Sequence, residues 1–424
     1  MKWIKAIYLN LYIIIFALYV YLGKGIAYSY AAEILLLIGI IVIVFDYKSF
    51  ELFKDKRAII ILFLLFINII FIINGVKHYK ALEVLRDSFM FNYAFFIFII
   101  FLFKDDLIYF ASRIFLIYKW YPFVQCGLLL LSYSSRLEDY SLFGDTPILY
   151  FKFGDIAVHL LIATILFLNN YIKFKSKAFS IVFIVLIVYL YMVASSYSRA
   201  AMVGFMLSFI LFFSISLNGK IKKLIFRYLK WLPLAVVIAL PFYLQTKVDE
   251  DFQGRKPGIE QLRDNVASVF TSDGDGSLND NKVWRLLWWG KIIGYTFGGE
   301  HFLNGKGLGV NLKEDDEIES DIFPDLRSPH SFHLNVLARF GVPIFFIWMY
   351  WIYISFNRTR RFRADPFEVM MGIIFFMFIF NASFDVYLEG PMGGLPFWTF
   401  VGLHFAFNAY NLKPVTVPSV SLNL

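Results

Sequence analysis

"SPHSFHLNVLARFGVPIF", residues 328–345, reads as the mouth of a membrane span. Its apolar residues continue through "FIWMYWIYISF" to Phe356. Two histidines, His330 and His333, stand at the entrance, and Arg339 follows about three turns in. Ionisable side chains inside a bilayer are costly, so those present tend to carry function. Working outward, the same apolar texture recurs along the whole chain of 424 residues, which is 59% hydrophobic and 20% aromatic. The mean hydropathy is +0.65. A run of about 18 or more apolar residues is long enough to cross a bilayer.

Twelve such runs are expected, at 5–22, 30–46, 58–74, 88–103, 107–132, 153–169, 177–195, 199–217, 224–244, 330–354, 367–383 and 394–410. The fold class is therefore all-α, a polytopic transmembrane helical bundle of about 12 spans. One large hydrophilic loop domain separates spans 9 and 10. The organisation this predicts is a nine-span membrane region (1–244), a loop domain (245–329), a three-span region (330–412) and a tail (413–424).

The net charge of +8 follows topology rather than nucleic-acid binding. Lys48, Lys54, Lys56 and Arg57; Lys173, Lys175 and Lys177; Lys220, Lys222, Lys223 and Arg227; and Arg358, Arg360, Arg361 and Arg363 fall in alternate short loops. Cytoplasmic loops are enriched in Lys and Arg. Both chain ends are thus expected in the cytoplasm, and the long loop outside. The tail 413–424 is accordingly cytoplasmic, and the loop domain 245–329 with its candidate site lies outside. A single cysteine, Cys126, rules out a disulfide within the chain and any multi-cysteine metal site.

The long loop holds a Gly/Asp/Asn stretch ("TSDGDGSLNDN", 271–281), expected to be a turn because it lacks the glycine spacing and distal glutamate of a calcium loop. Next come an aromatic stretch ("VWRLLWWGKIIGY", 283–295) whose Trp284, Trp288 and Trp289 suggest a short interfacial helix, a glycine-rich turn ("LNGKGLGVNL", 303–312) and an acidic run.

Three basic positions cluster near the outer face. Ser328 and Pro329 suit an N-cap and a first helical residue, which would put His330 in the first turn. There the helix dipole disfavours an imidazolium, and a neutral imidazole is what a general base needs. Arg199 lies among Ser195, Ser196 and Ser198, and Arg285 lies in the aromatic stretch. Guanidinium groups grip phosphate oxygens with a fixed fork of donors. Each residue also has a plainer reading: a histidine bonded to water, a snorkelling arginine, a solvated loop charge. His333, one turn on, suits packing or hydrogen bonding. Arg339 calls for an acidic partner or a wet cavity, with Asp385 and Glu389 as candidates. Taken together, the three suggest cationic groups for a diphosphate and one base, the requirements for transferring a sugar from a lipid diphosphate outside the cytoplasm.

At this point the residues carry a resemblance. "HSFHLNVLARFG" is similar to a pattern of His, a small polar residue, nine residues and Gly (here His330, Ser331 and Gly341) found in the O-antigen ligase and O-antigen polymerase superfamily. "YSRAAMVGF" resembles that family's Ser-Arg-Gly/Ala stretch, at Ser198 and Arg199. "VWRLLWWGKII" followed by "GKGLGV" resembles its loop segment, at Arg285, and "DVYLEGPMGGLPFWTFVGL" resembles its ending. These motifs span about residues 190–403. Pro343, Ile344 and Arg339 depart from the pattern on the acceptor side.

The resemblance implies an inverting, metal-independent glycosyltransferase with no cofactor. Its donor would be a glycan on undecaprenyl diphosphate. Its acceptor would be lipid A-core, with a growing glycan (polymerase) or a protein hydroxyl as alternatives. His330 would be the base, Arg199 and Arg285 would hold the diphosphate, and Ser198, Ser331 and His333 would line the substrate site. The bilayer is a partner and nucleic acid is not. The rival from another class is a transporter of lipid-linked sugars.

Overall fold

The computed structural model describes residues 2–45, 55–134, 140–143, 146–216, 230–246, 258–270, 276–318, 326–363 and 365–412, with 219, 226 and 228. The expected tail and parts of the loop domain lie outside these residues, as do Lys48 and Lys54 and most of the basic loop 217–229.

The described residues form helices and no strand. In order they are α1 (Lys2–Leu22), α2 (Ala31–Phe45), α3 (Lys56–Gly75), α4 (Ala81–Asn92), α5 (Phe95–Phe101), α6 (Leu107–Ser134), α7 (Phe153–Leu168), α8 (Lys177–Tyr197), α9 (Arg199–Ile215) and α10 (Leu232–Leu244). After them come α11 (Ile259–Phe270), α12 (Gly276–Phe297), α13 (Phe332–Arg361), α14 (Pro366–Ser383) and α15 (Pro391–Ala409).

Among the described residues six helices are long and apolar enough to cross a membrane, and a seventh crossing exists if α4 and α5, bent by 52°, count as one. Against the twelve expected runs, α2, α7, α9 and α10 are shorter apolar helices of 10–17 residues. At 1.5 Å per residue these fall short of a hydrocarbon core of about 30 Å.

The centre of the bundle is α7. It packs on α6, α8, α9 and α14, and nearly every residue from Gly154 to Leu168 is buried. A helix that is apolar all round belongs inside. Its buried Asp155 and His159 are the exceptions. Helix starts are fixed by side-chain caps: Asp55 accepts from Arg57 N, Ser176 from Ala178 N, Ser198 from Ala201 N and Asp365 from Phe367 N, each satisfying an otherwise orphaned amide.

The helix that contains the opening stretch is broken. Gly341, with φ 78° and ψ 179°, interrupts α13. Pro343 has no N–H to give Arg339 O, and the glycine turn of the loop takes over. Lys306 N donates to Ala338 O at 2.8 Å, Gly307 N to Arg339 O at 3.0 Å, and Val342 N to Phe302 O at 2.8 Å. A Cβ at Gly305 would lie 2.5 Å from Arg339 C, and one at Gly341 2.6 Å from Phe302 O. Both glycines, at positive φ, are therefore required by close backbone approach. Pro343 and Gly341 thus make a docking point for the loop.

Arg339, just before this break, is buried, and its ion-pair partner is Asp87 of α4 at 2.7 Å. It also donates to Asn335 Oδ1, Gly307 O and Val310 O. Of the two acids expected from sequence, Asp385 is engaged by Lys152. Glu389 lies close enough to feel Arg339, whose charge opposes the upward push of burial on its carboxyl. Asp87 belongs to a helix remote in sequence, which no local pattern reveals.

Candidate active site

Two segments of the loop build one wall. The "DGDGSLNDN" stretch is a helix from Gly276 onward rather than a turn throughout, because Asn and Asp are accommodated in a first helical turn; residues 271–275 lie outside the described residues. The aromatic stretch continues it as α12, whose residues 284, 285, 288 and 289 share one face by helical spacing. Trp288 is fully buried in a small core with Ile292, Val310, Leu312, Leu337 and Val342, and its indole donates to Asp316 Oδ2 at 2.6 Å. Trp289 donates to Pro329 O at 2.8 Å. The tryptophans thus pin the 328–331 segment to α12.

His330 is not in the first turn of α13. The N-cap is Ser331, whose Oγ accepts from Leu334 N at 3.5 Å, and the helix starts at Phe332. His330 precedes the cap with φ 50°, a left-handed conformation uncommon for a non-glycine residue. That turn aims its ring at α12. Trp284 meets it edge-on at 5.8 Å, and Arg285 Nη2 lies 3.4 Å from Nδ1, a long contact for a hydrogen bond. The imidazole pKa is held well below the ordinary histidine value by burial first and by Arg285 second. The dipole expected from sequence is not the cause. With Arg285 directed at Nδ1, the neutral ring carries its proton on Nε2.

Arg285 Nη1 also reaches Phe384 O at 3.5 Å, next to Asp385. Asp385 accepts from Lys152 Nζ at 2.7 Å and from Val386 N at 2.6 Å. Burial works to raise its carboxyl, but the charges of Lys152, His330 and Arg285 outweigh it and the pKa falls below the usual carboxylate value. Burial likewise works against the Lys152 ammonium, while Asp155 and Asp385 raise it. A Cβ added at Gly154 would sit 3.5 Å from Asn381 Oδ1, 3.8 Å from Ser198 Oγ and 3.9 Å from Asp385 Oδ2. The N-terminus of α9, with Ser198 as cap and Arg199 as first residue, therefore converges on the same point.

The structure brings His330 and Arg285 into contact and gathers Ser198 Oγ and Asp385 Oδ2 around Gly154. His333 faces another way: its Nε2 meets Ile379 O at 3.3 Å and its Nδ1 accepts from Trp348 Nε1 at 3.0 Å, so both ring nitrogens are engaged by the protein. Ser331 is buried and occupied as a cap. Sequence reasoning missed Lys152 and named Asp385 only as a candidate partner of Arg339, not of Lys152. Lys152 reads as an ordinary outer-loop charge, and the single available signal was an aspartate just past the end of a span. Among the described residues no group of three His, Cys, Asp or Glu is placed to hold a metal ion.

Helices of this length and apolarity, with a cationic histidine-bearing cluster at one end, define a multi-pass helical membrane protein. Residues 182–349, which contain Arg199, Arg285 and His330, match the family model described as O-antigen ligase; over that region the chain is similar to this family. No curated protein matches the chain.

Proposed function

We propose that this protein is a membrane glycosyltransferase that moves a glycan from undecaprenyl diphosphate to a hydroxyl on the periplasmic side of the inner membrane, with lipid A-core as acceptor. The observation that carries the reading is the Arg285–His330 contact. A base and a phosphate-binding group share one point, within reach of Asp385 and the start of α9. The basic residues Lys173, Lys175, Lys177, Arg358, Arg360, Arg361 and Arg363 flank helix ends opposite the site, which supports a periplasmic site under the positive-inside rule.

The geometry suggests a sequence of events. Without donor, Arg285 occupies the basic nitrogen of His330. An incoming diphosphate offers the guanidinium a charged, bidentate partner. Arg285 moves to it, its charge is neutralised, and Nδ1 becomes available at a raised pKa. His330 then takes the acceptor hydroxyl's proton as the oxygen bonds to the anomeric carbon. The bond from that carbon to the diphosphate breaks, and the electron pair leaves with the diphosphate, whose charge Arg285 and Arg199 stabilise. Attack opposite the leaving group inverts the anomeric centre, and in this scheme the arginines supply the charge stabilisation without a metal. Ser198 and Ser331 hold the two arms of the site by capping their helices, and His333 serves packing. In this scheme the loop 245–329 is the arm that delivers Arg285.

A transporter of lipid-linked sugars would need a polar path across the bundle. Below His159, α7 offers Thr164 alone as a polar residue before Asn169, and its hydroxyl bonds Leu160 O. This favours transfer chemistry.

The test is reconstitution in nanodiscs with an undecaprenyl-diphosphate glycan and lipid A-core, followed by gel and mass spectrometry, with His330→Ala alongside. Glycan on lipid A-core, abolished in the variant while donor binding persists, is expected. Glycan that grows on its lipid carrier makes the protein a polymerase instead. Normal turnover by His330→Ala removes the base assignment.

A further inference from the structure

Next to the His330 cluster lies a second feature that the reaction as described leaves unused. An open cleft runs between the end of α1, α6 and the 148–156 segment, lined by Tyr21, Lys24, Tyr121, Gln125, Tyr150 and Asp155 among others.

Two of its walls hold buried acceptors with no hydrogen bond. Asp155 is 5% exposed and Gln125 is 3% exposed. Neither Asp155 oxygen nor Gln125 Oε1 accepts a hydrogen bond among the described residues. Lys152 Nζ stands 3.9 Å from Asp155 Oδ1, too far for one. Asn381 faces Asp155, but its Nδ2 also makes no well-formed hydrogen bond. Leaving a buried acceptor unsatisfied costs about 1–3 kcal/mol, so each is a place where a ligand's donors gain affinity.

The chemistry of the walls narrows the ligand. A phosphate is opposed by Asp155 and Asp385. A free amine is opposed by Lys24, whose Nζ lies over the Tyr150 ring at 4.5 Å, and by Lys152. A ligand whose groups both donate and accept, without net charge, satisfies both sets, and hydroxyls do so. The stacked pair Tyr21 and Tyr121, ring centroids 6.3 Å apart at 12°, adds an apolar face for ring C–H groups. Lys152 and Asp385 connect the cleft to His330, so a sugar ring seated here lies beside the reacting centre.

We propose that this cleft is a saccharide subsite, in which Asp155 and Gln125 accept hydrogen bonds from hydroxyls of the sugar that reacts at His330. The proposal rests on the glycosyl-transfer reading for the word "reacts" and on the cleft itself for sugar binding. The experiment separates the two. Full-length protein in nanodiscs, as wild type, Asp155→Ala and Gln125→Ala, is given a panel of methyl hexosides and a methyl N-acetylhexosaminide, and saturation-transfer NMR reads their binding. The same three proteins are assayed for glycan transfer with each substrate varied in turn.

The subsite predicts loss of the saturation signal in the variants, or a rise in one KM of about tenfold, the equivalent of one hydrogen bond at 1.4 kcal/mol per decade, with kcat changed far less. A raised acceptor KM assigns the cleft to the acceptor sugar, and a raised donor KM assigns it to the donor's first sugar. If wild type binds glycosides in an Asp155-dependent way yet transfers no glycan, the subsite stands and the transferase reading falls. Signals and KM values equal to wild type in both variants overturn the subsite. Gln125→Ala, which leaves the Lys152–Asp385 pair intact, keeps the test decisive should Asp155→Ala misfold.

Discussion

The Asp87→Ala substitution tests how the loop is held on the bundle. Asp87 Oδ2 lies 2.7 Å from Arg339 Nη1, with the side chains 7% and 2% exposed. At an effective dielectric of about 20 the gross attraction at that separation is ~6 kcal/mol. Desolvation of both groups offsets much of it. What the substitution exposes is a buried guanidinium without its counter-charge, a loss of ~3–5 kcal/mol in comparable cases. Arg339 keeps Asn335 Oδ1, Gly307 O and Val310 O as acceptors, and Glu389 stays near it, so the lower end, about 3 kcal/mol, is expected.

With an unfolding entropy of about 2.1 cal/mol/K per residue, a chain of 424 residues loses roughly 1 °C per kcal/mol, so the melting midpoint in nanodiscs should drop by about 3 °C. Replacing both partners, Asp87→Leu with Arg339→Met, removes the unpaired charge but leaves Gly309 N without its acceptor and Asn335 Oδ1, Gly307 O and Val310 O without their donor, so it should recover part of the loss. The assay is tryptophan-monitored thermal unfolding of wild type, both single variants and the double variant. A midpoint for Asp87→Ala within a degree of wild type would refute the claim that this pair secures the break in α13. A double variant no more stable than the singles would refute the reasoning about desolvation.

Arg285→Ala and Arg199→Ala should each slow glycan transfer by about 10²–10³-fold, read in single-turnover experiments with saturating donor; unchanged rates in both would remove the diphosphate assignment. His330 works only when neutral, so activity fails as pH falls through its pKa. Burial and Arg285 depress that pKa in the free protein, and a bound diphosphate raises it. The acid limb of kcat/KM should therefore lie below the ordinary histidine value of about 6.5, and that of kcat at higher pH; coincident limbs would contradict the masking of Nδ1 by Arg285. Gly341→Ala forces a side chain into φ 78° and to within 2.6 Å of Phe302 O. It should cost about 1–3 kcal/mol in strain, and equal thermal stability of variant and wild type would show that the break tolerates a Cβ.

The membrane class and the helical character were legible from sequence, because each follows from local composition, the long apolar runs above all. Arg199, Arg285 and His330 stand out in the sequence as rare charges or imidazoles beside apolar runs, and the fold brings the last two into contact. Other features were decided by contacts between distant segments. That His330 stands outside α13, in a left-handed turn, depends on Ser331 taking the cap and on Trp284, Trp289 and Arg285 from α12. Lys152 and Asp385, 233 residues apart, and Arg339 with Asp87 found each other only through packing. A one-dimensional pattern records which side chains are costly to bury; which partner meets that cost is fixed by the tertiary fold, because charges and hydrogen bonds act over a few ångströms of space and not along the chain.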